Sequence, residues 1–299
     1  MKGIQKMLIR ENMVINGDRA IVKSYAKINL TLDVLGRMEN GYHEIESIMQ
    51  TVGLFDLIVA DKIPKGIKLH TNLKFLPTNE KNIAYKAAAL FFAKTGIRGG
   101  VKILIHKNIP VAAGLAGGSG NGAAVLAALN VLYNAHLTDG ELFAMAKELG
   151  ADVPYCLVGG TVLAEGIGEK LTPLPKMGRH IVLLAKPPIN VSTKSIYDYI
   201  DSVEISARPK LDVMIEGIKS DNLHRIADNI LNVMEEATVK LHPVIRGIKE
   251  KMMLNGAVGA IMSGSGPTVF GLFDDYEKAK RSHDSFSKMY KDVYLTYTL

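Results

Sequence analysis

The stretch "GLAGGSGNGAA", residues 114–124, sets five glycines and one serine, without a charge, ahead of a run rich in alanine and leucine. Glycine costs chain entropy wherever it sits. In front of a helix it lets backbone N–H groups converge on a ligand where the helix start adds partial positive charge, which is the chemistry of a phosphate cradle. The surrounding charge agrees. From Lys81 to Leu137 there is no Asp or Glu, only Lys81, Lys86, Lys94, Arg98, Lys102 and Lys107. A small anion is the natural partner of such a segment. The spacing excludes a Walker A loop, because no lysine follows the glycines. The strict dinucleotide fingerprint fails at Ala123, and only its permissive form, which admits alanine there, is met. Asp152, in "GADVP", suits the N-cap of a helix that begins near Pro154.

Positioning these residues falls to alternating strands and helices. Residues 20–34 alternate, with Val22, Ala26, Ile28, Leu30, Leu32 and Val34 on one face and Lys23, Tyr25, Lys27, Asn29, Thr31 and Asp33 on the other. That pattern predicts a half-buried strand with Lys27 and Asn29 side by side. A helix is expected over 82–95, closed by Gly96, and a strand over "GVKILIHKNIP", ended by Pro110. The run after the glycines reads as helix to about Tyr133. "TDGE" at Thr138–Glu141 is a capping box for the next helix. A hairpin turning on Gly166–Gly168, a strand "IVLLAKP", helices near 221–237 and 242–254, and two strands flanking "GSGP" complete the pattern. Strands and helices interleave without regular βαβ spacing, which favours an α+β fold.

The 299 residues, 47% hydrophobic and 22% charged, favour two domains. The N-terminus has scattered charges and no apolar core, and no run is long enough to span a bilayer. One cysteine, Cys156, excludes an internal disulfide framework and fits a reducing compartment, so a cytoplasmic location is expected. The net charge of +6 comes without zinc-finger spacing, an arginine-rich arm or aromatic interleaving, so neither nucleic acid nor membrane is the expected partner. The eight histidines show no paired spacing, and no transition-metal site is expected.

Three stretches, in order, carry a resemblance: "AKINLTLDVLGRMENGYHEIESIMQTV", "PVAAGLAGGSGNGAA" and "GAIMSGSGPTVFGLF". They resemble the three motifs of the GHMP kinase superfamily, over about residues 20–299. The versions here look like the branch whose substrate carries a cytidine diphosphate group and which serves isoprenoid precursor synthesis. The marks are Ala26-Lys27-Ile28-Asn29-Leu30, Gly41-Tyr42-His43-Glu44, Gly150-Ala151-Asp152-Val153-Pro154 and Gly166-Ile167-Gly168-Glu169. The resemblance implies an α+β, two-domain fold. Its first domain (1–165) would be ribosomal protein S5 domain 2-like and its second (166–299) ferredoxin-like. It also implies phosphoryl transfer from MgATP to an alcohol, with Asp152 as general base and Lys27 as catalytic lysine. The nucleotide would lie on Pro110, Val111, Ala112, Ala113, Gly114, Leu115, Ala116, Gly117, Gly118, Ser119 and Gly120, with Asn82 and Lys107 lining its pocket. Magnesium would be held mainly by phosphate oxygens. Asn29, Tyr42, His43 and Tyr197 would bind the substrate, Tyr197 as a stacking platform for the base, and the "GSGP" turn would approach the phosphate loop. A sister kinase for homoserine or mevalonate, and a nucleotide-binding protein with impaired chemistry, are the alternatives.

The loop departs from the motif at Ala116, Gly120 and Gly122, where the family carries glycine, serine and alanine, and Glu165 stands where a basic or neutral residue is usual. A hydroxyl missing at Gly120 would cost about 1–3 kcal/mol of interaction with charged phosphate. Gly120→Ser is therefore expected to raise the rate.

Overall fold

The computed structural model describes residues 7–299, which form two compact units. Neither unit is a single stretch of chain. One takes residues 7–26, 54–111 and 116–159 among those described; the other takes 27–53, 112–115 and 160–299.

The first unit begins with α1 (Leu8–Glu11) and β1 (Met13–Asn16). It holds the first part of β2 (Arg19–Arg37) and the last part of β3 (His43–Ile63), followed by β4 (Gly66–Thr71), α2 (Ile83–Thr95) and β5 (Gly100–His106). Then come α3 (Gly117–Leu132), α4 (Asp139–Leu149) and α5 (Val153–Val158). β1 pairs antiparallel with the start of β2, Met13 opposite Val22. β5 pairs antiparallel with the end of β3 and parallel with β4. The four longer-range partners α2, α3, α4 and α5 pack on one another. α3 is buried nearly all round, from Gly120 to Asn130, as an alanine- and leucine-rich central helix should be. α1 is anchored by buried Met7 and Ile9 and by Arg10, whose guanidinium lies 2.7 Å from Asp139 Oδ1.

Local chemistry explains the ends. Gly96 closes α2 in the left-handed region (φ 65°), and Thr138 with Glu141 forms the expected capping box of α4. Two boundaries differ from expectation. β5 ends at His106, four residues before Pro110, and α3 starts inside the glycine run at Gly117. The glycines are therefore the first turns of the helix as well as the loop before it. Close packing explains this: a Cβ on Gly122 would stand 2.7 Å from Ile83 Cγ2 of α2.

The second unit holds the remaining parts of β2 and β3, then β6 (Thr161–Gly166), β7 (Lys170–Pro173), β8 (Ile181–Lys186), α6 (Thr193–Ile200), α7 (Leu211–Lys219), α8 (Leu223–Ala227) and β9 (Leu231–Asn232). α9 (Val233–Leu241), α10 (Val244–Leu254), β10 (Gly259–Met262), β11 (Val269–Phe273), α11 (Tyr276–Ser287) and β12 (Asp292–Tyr297) follow. β10, β11, β8 and β12 lie in that order in an antiparallel sheet, with β8 and β11 central. This is the ferredoxin-like arrangement that the resemblance implies. Its core joins Leu183, Met252, Phe273 and Phe286 to Leu32 and Val34 of β2. β6 and β7 form the expected hairpin, whose turn Glu169 fixes by accepting the Ile167 N–H at 2.8 Å.

Two expectations fail here. The helix over 221–237 is broken: α8 stops at Ala227, and Leu231–Asn232 runs parallel to Thr31–Leu32 before α9 begins. The half-buried pattern of β2 holds only as far as Ala26. From Lys27 to Val34 both faces are buried, because the polar face is covered by its own hydrogen-bond partners. Among the described residues no helix is long and apolar enough to cross a membrane.

Candidate active site

In the second unit, Lys27 is 4% exposed and its ammonium donates to Asn29 Oδ1 at 2.6 Å. Asn29 donates through Nδ2 to Ser47 Oγ at 2.8 Å, and Ser47 donates to the Thr31 carbonyl at 2.6 Å. A buried lysine held this way is fixed in position, unlike the usual solvated lysine of a strand. The loop preceding α3 meets it: the Lys27 N–H donates to the Leu115 carbonyl at 3.2 Å. The "GSGP" turn closes on the same loop, as expected. Ser263 Oγ donates to the Gly114 carbonyl at 3.0 Å and lies 3.5 Å from Asn29 Oδ1. Gly114 has φ 72°, and a Cβ there would stand 2.2 Å from the Ser263 carbonyl oxygen. Only glycine fits. Asn232, which sequence reasoning missed, pins this turn by donating to the Met262 and Gly264 carbonyls at 2.8 Å each. Its signal was an asparagine inside an expected helix, where it instead caps α9.

In the first unit, Ala116 occupies the N-cap of α3 at φ 54° and offers no side-chain cap. The first N–H groups of the helix therefore lack the partner that a Ser, Thr or Asp would supply, and remain available to an anion. Gly117, Gly118, Ser119 and Gly120 form this first turn. Beneath it, the fully buried Asp56 carboxylate accepts from the Asn108 and Ile109 N–H groups at 2.8 Å each and from the Lys107 ammonium. With its amide nitrogen facing these acceptors, Asn121 donates to Asp56 Oδ2 at 2.8 Å and to the Gly117 carbonyl at 2.9 Å. Burial pushes the Lys107 ammonium below the ordinary lysine range, and Asp56 opposes that shift. The Lys107 side chain thus braces the loop, with Nζ 2.6 Å from where a Gly117 Cβ would be. Asn82 caps α2, accepting from Ala84 N at 2.9 Å and donating to the Pro77 carbonyl at 2.9 Å. Asp152 occupies the N-cap position of α5, but its carboxylate makes no capping bond. It is half-buried and left for other chemistry.

The expected base-binding residues lie in the second unit. His43 and Tyr197 stack at 4.2 Å with planes 10° apart. His43 Nε2 lies 2.7 Å from Asp201 Oδ1, a partner that sequence reasoning missed. An ionised carboxylate only accepts, so Nε2 carries the proton and a neutral His43 presents Nδ1 as an acceptor. Tyr42, on the neighbouring turn, is exposed.

The GHMP kinases N terminal domain matches residues 82–160 and the GHMP kinases C terminal domain residues 214–292. The chain belongs to the GHMP kinase family and is an ATP-dependent kinase. Within that family it is 48% identical over 278 residues to the 4-diphosphocytidyl-2-C-methyl-D-erythritol kinase of Clostridium beijerinckii, covering 93% of this chain and 99% of the relative. The kinase of the same name from Caldicellulosiruptor saccharolyticus is 48% identical over 279 residues, covering 93% and 96%. A crystal structure of 4-(cytidine 5'-diphospho)-2C-methyl-D-erythritol kinase superposes with a TM-score of 0.81 at 31% identity, over 93% of this chain and 98% of that one. Homoserine kinase from Cytophaga hutchinsonii shares the fold, with a TM-score of 0.73 at 21% identity over 94% and 95% of the two chains.

Proposed function

We propose that this chain transfers the γ-phosphoryl group of ATP to the 2-hydroxyl of 4-diphosphocytidyl-2-C-methyl-D-erythritol, in isoprenoid precursor synthesis in the cytoplasm. The observation that carries the reading is the likeness, over 93% of this chain, to the kinase of that name from Clostridium beijerinckii, at 48% identity. The stacked His43–Tyr197 pair adds support, since an aromatic face and an imidazole acceptor suit a cytosine ring and its amino edge. Asp152 accepts the proton as the hydroxyl oxygen attacks the γ-phosphorus, and ADP leaves. Lys27, held by Asn29, stabilises the transferring group's charge. The N–H groups of Gly117–Gly120 and the Ser119 hydroxyl cradle the phosphates, while Asp56, Lys107 and Asn121 hold that turn in place. The loop's neutral donors suit phosphate oxygens, and among the described residues no cluster of three His, Cys, Asp or Glu is placed to hold a metal ion. Magnesium, when bound with ATP, would neutralise phosphate charge. The test is ATP consumption with the cytidyl substrate beside homoserine and mevalonate. Turnover confined to either sister alcohol would replace this substrate assignment.

A further inference from the structure

Ser24 falls in the apolar phase of β2, in step with Ala20, Val22, Ala26 and Ile28. Its hydroxyl is fully buried and has no hydrogen-bond partner among the described residues. A bare buried hydroxyl costs about 1–3 kcal/mol, which an alanine like its neighbours would avoid. α3 carries the complementary gap. A Cβ on Gly120 would stand 2.5 Å from Ser24 Oγ, with the Tyr25 carbonyl oxygen at 3.6 Å and Cys156 Sγ at 3.9 Å. The Ser24 oxygen therefore occupies the volume that a serine side chain at position 120 would take.

We infer that Ser24 supplies, from β2, the hydroxyl that the phosphate loop lacks at Gly120, and that it donates to a phosphate oxygen of the bound nucleotide. This rests on the reading of the α3 start as the phosphate cradle. A hydroxyl turns about its C–O bond, so Ser24 can aim its proton at an acceptor that comes within reach. The exchange also reverses the expectation for Gly120→Ser: alone, the new side chain collides with Ser24 and the variant loses stability.

The experiment compares wild type, Ser24→Ala, Gly120→Ser and the double variant. It uses calorimetric binding of MgADP, binding of phosphate-free adenosine, and thermal unfolding without nucleotide. Ser24→Ala is expected to unfold at or above the wild-type temperature, to bind MgADP roughly tenfold more weakly, and to bind adenosine unchanged. Gly120→Ser unfolds at a lower temperature, and the double variant recovers MgADP affinity to within about threefold of wild type. Wild-type MgADP affinity in Ser24→Ala overturns the inference. So does equal weakening of MgADP and adenosine, which marks a packing role, and so does a double variant no better than Ser24→Ala. Wild-type protein that binds adenosine but gains nothing from the phosphates overturns the cradle reading itself.

Discussion

Asp152 and Asp56 use the same functional group in opposite ways. Asp152 stands at a helix start without bonding to it, whereas Asp56 is buried among four donors. Asp152→Asn is expected to lower kcat about 10²–10⁴-fold with MgADP affinity retained. Unchanged turnover in steady-state assays would remove Asp152 as the base. Asp56→Ala leaves the Lys107 ammonium buried alone and is expected to cost about 3–5 kcal/mol in denaturant unfolding. Asp56→Leu with Lys107→Met should recover most of that loss, because it removes both charges together. Ala116, at φ 54°, holds a left-handed conformation that costs an L-residue about 1–2 kcal/mol. Part of this is offset by glycine's larger unfolded-state entropy, so Ala116→Gly should stabilise by about 1 kcal/mol in the same measurement.

At the scale of elements, the unusual Glu165 has a structural consequence. It lies opposite Glu46 across the β3–β6 ladder. Burial, followed by the Glu165 charge, raises the Glu46 carboxyl above the ordinary value of 4.5. A carboxyl raised in the folded state contributes stability at acid pH that is lost as pH rises through its folded value. Glu165→Gln should therefore stabilise by roughly 0.2–1 kcal/mol at pH 7. The gain should shrink as Glu46 takes up its proton, and a gain independent of pH would exclude the charge pair as its cause. The elements themselves were legible where local chemistry is strong: the Thr138 box, the Gly96 cap, the Gly166–Gly168 turn. They were not where tertiary contacts decide. The chain leaves the helix at 228, Leu231–Asn232 run beside β2, and the polar face of β2 is buried by partners as distant as Ser263. Ser24 could have been found, as a polar residue in an apolar phase.

Across the whole molecule, the acid-free window from Lys81 to Leu137 is less positive than its sequence. Glu148 lies 2.7 Å from Lys94, and Asp56 pairs with Lys107, both carboxylates coming from outside the window. Spacing along the chain pointed to the glycine run before α3 and to the strand that bears Lys27, because their signals are local; a role for Lys27 came only from the resemblance. Spacing did not reveal Asn232, Asp201 or Asp56, each of which matters through partners far along the sequence. The interleaving of the two units bears on how the protein is made. The first is complete once Gly159 has been synthesised, but Lys27–Gly53 belongs with residues 160–299. At about 5–20 residues per second, that remainder takes roughly 7–28 s to be synthesised. Throughout this interval the lysine-bearing strand, with Ile28, Leu30, Leu32 and Val34, lacks the apolar partners that residues 160–299 supply, among them Leu183, Met252 and Phe273.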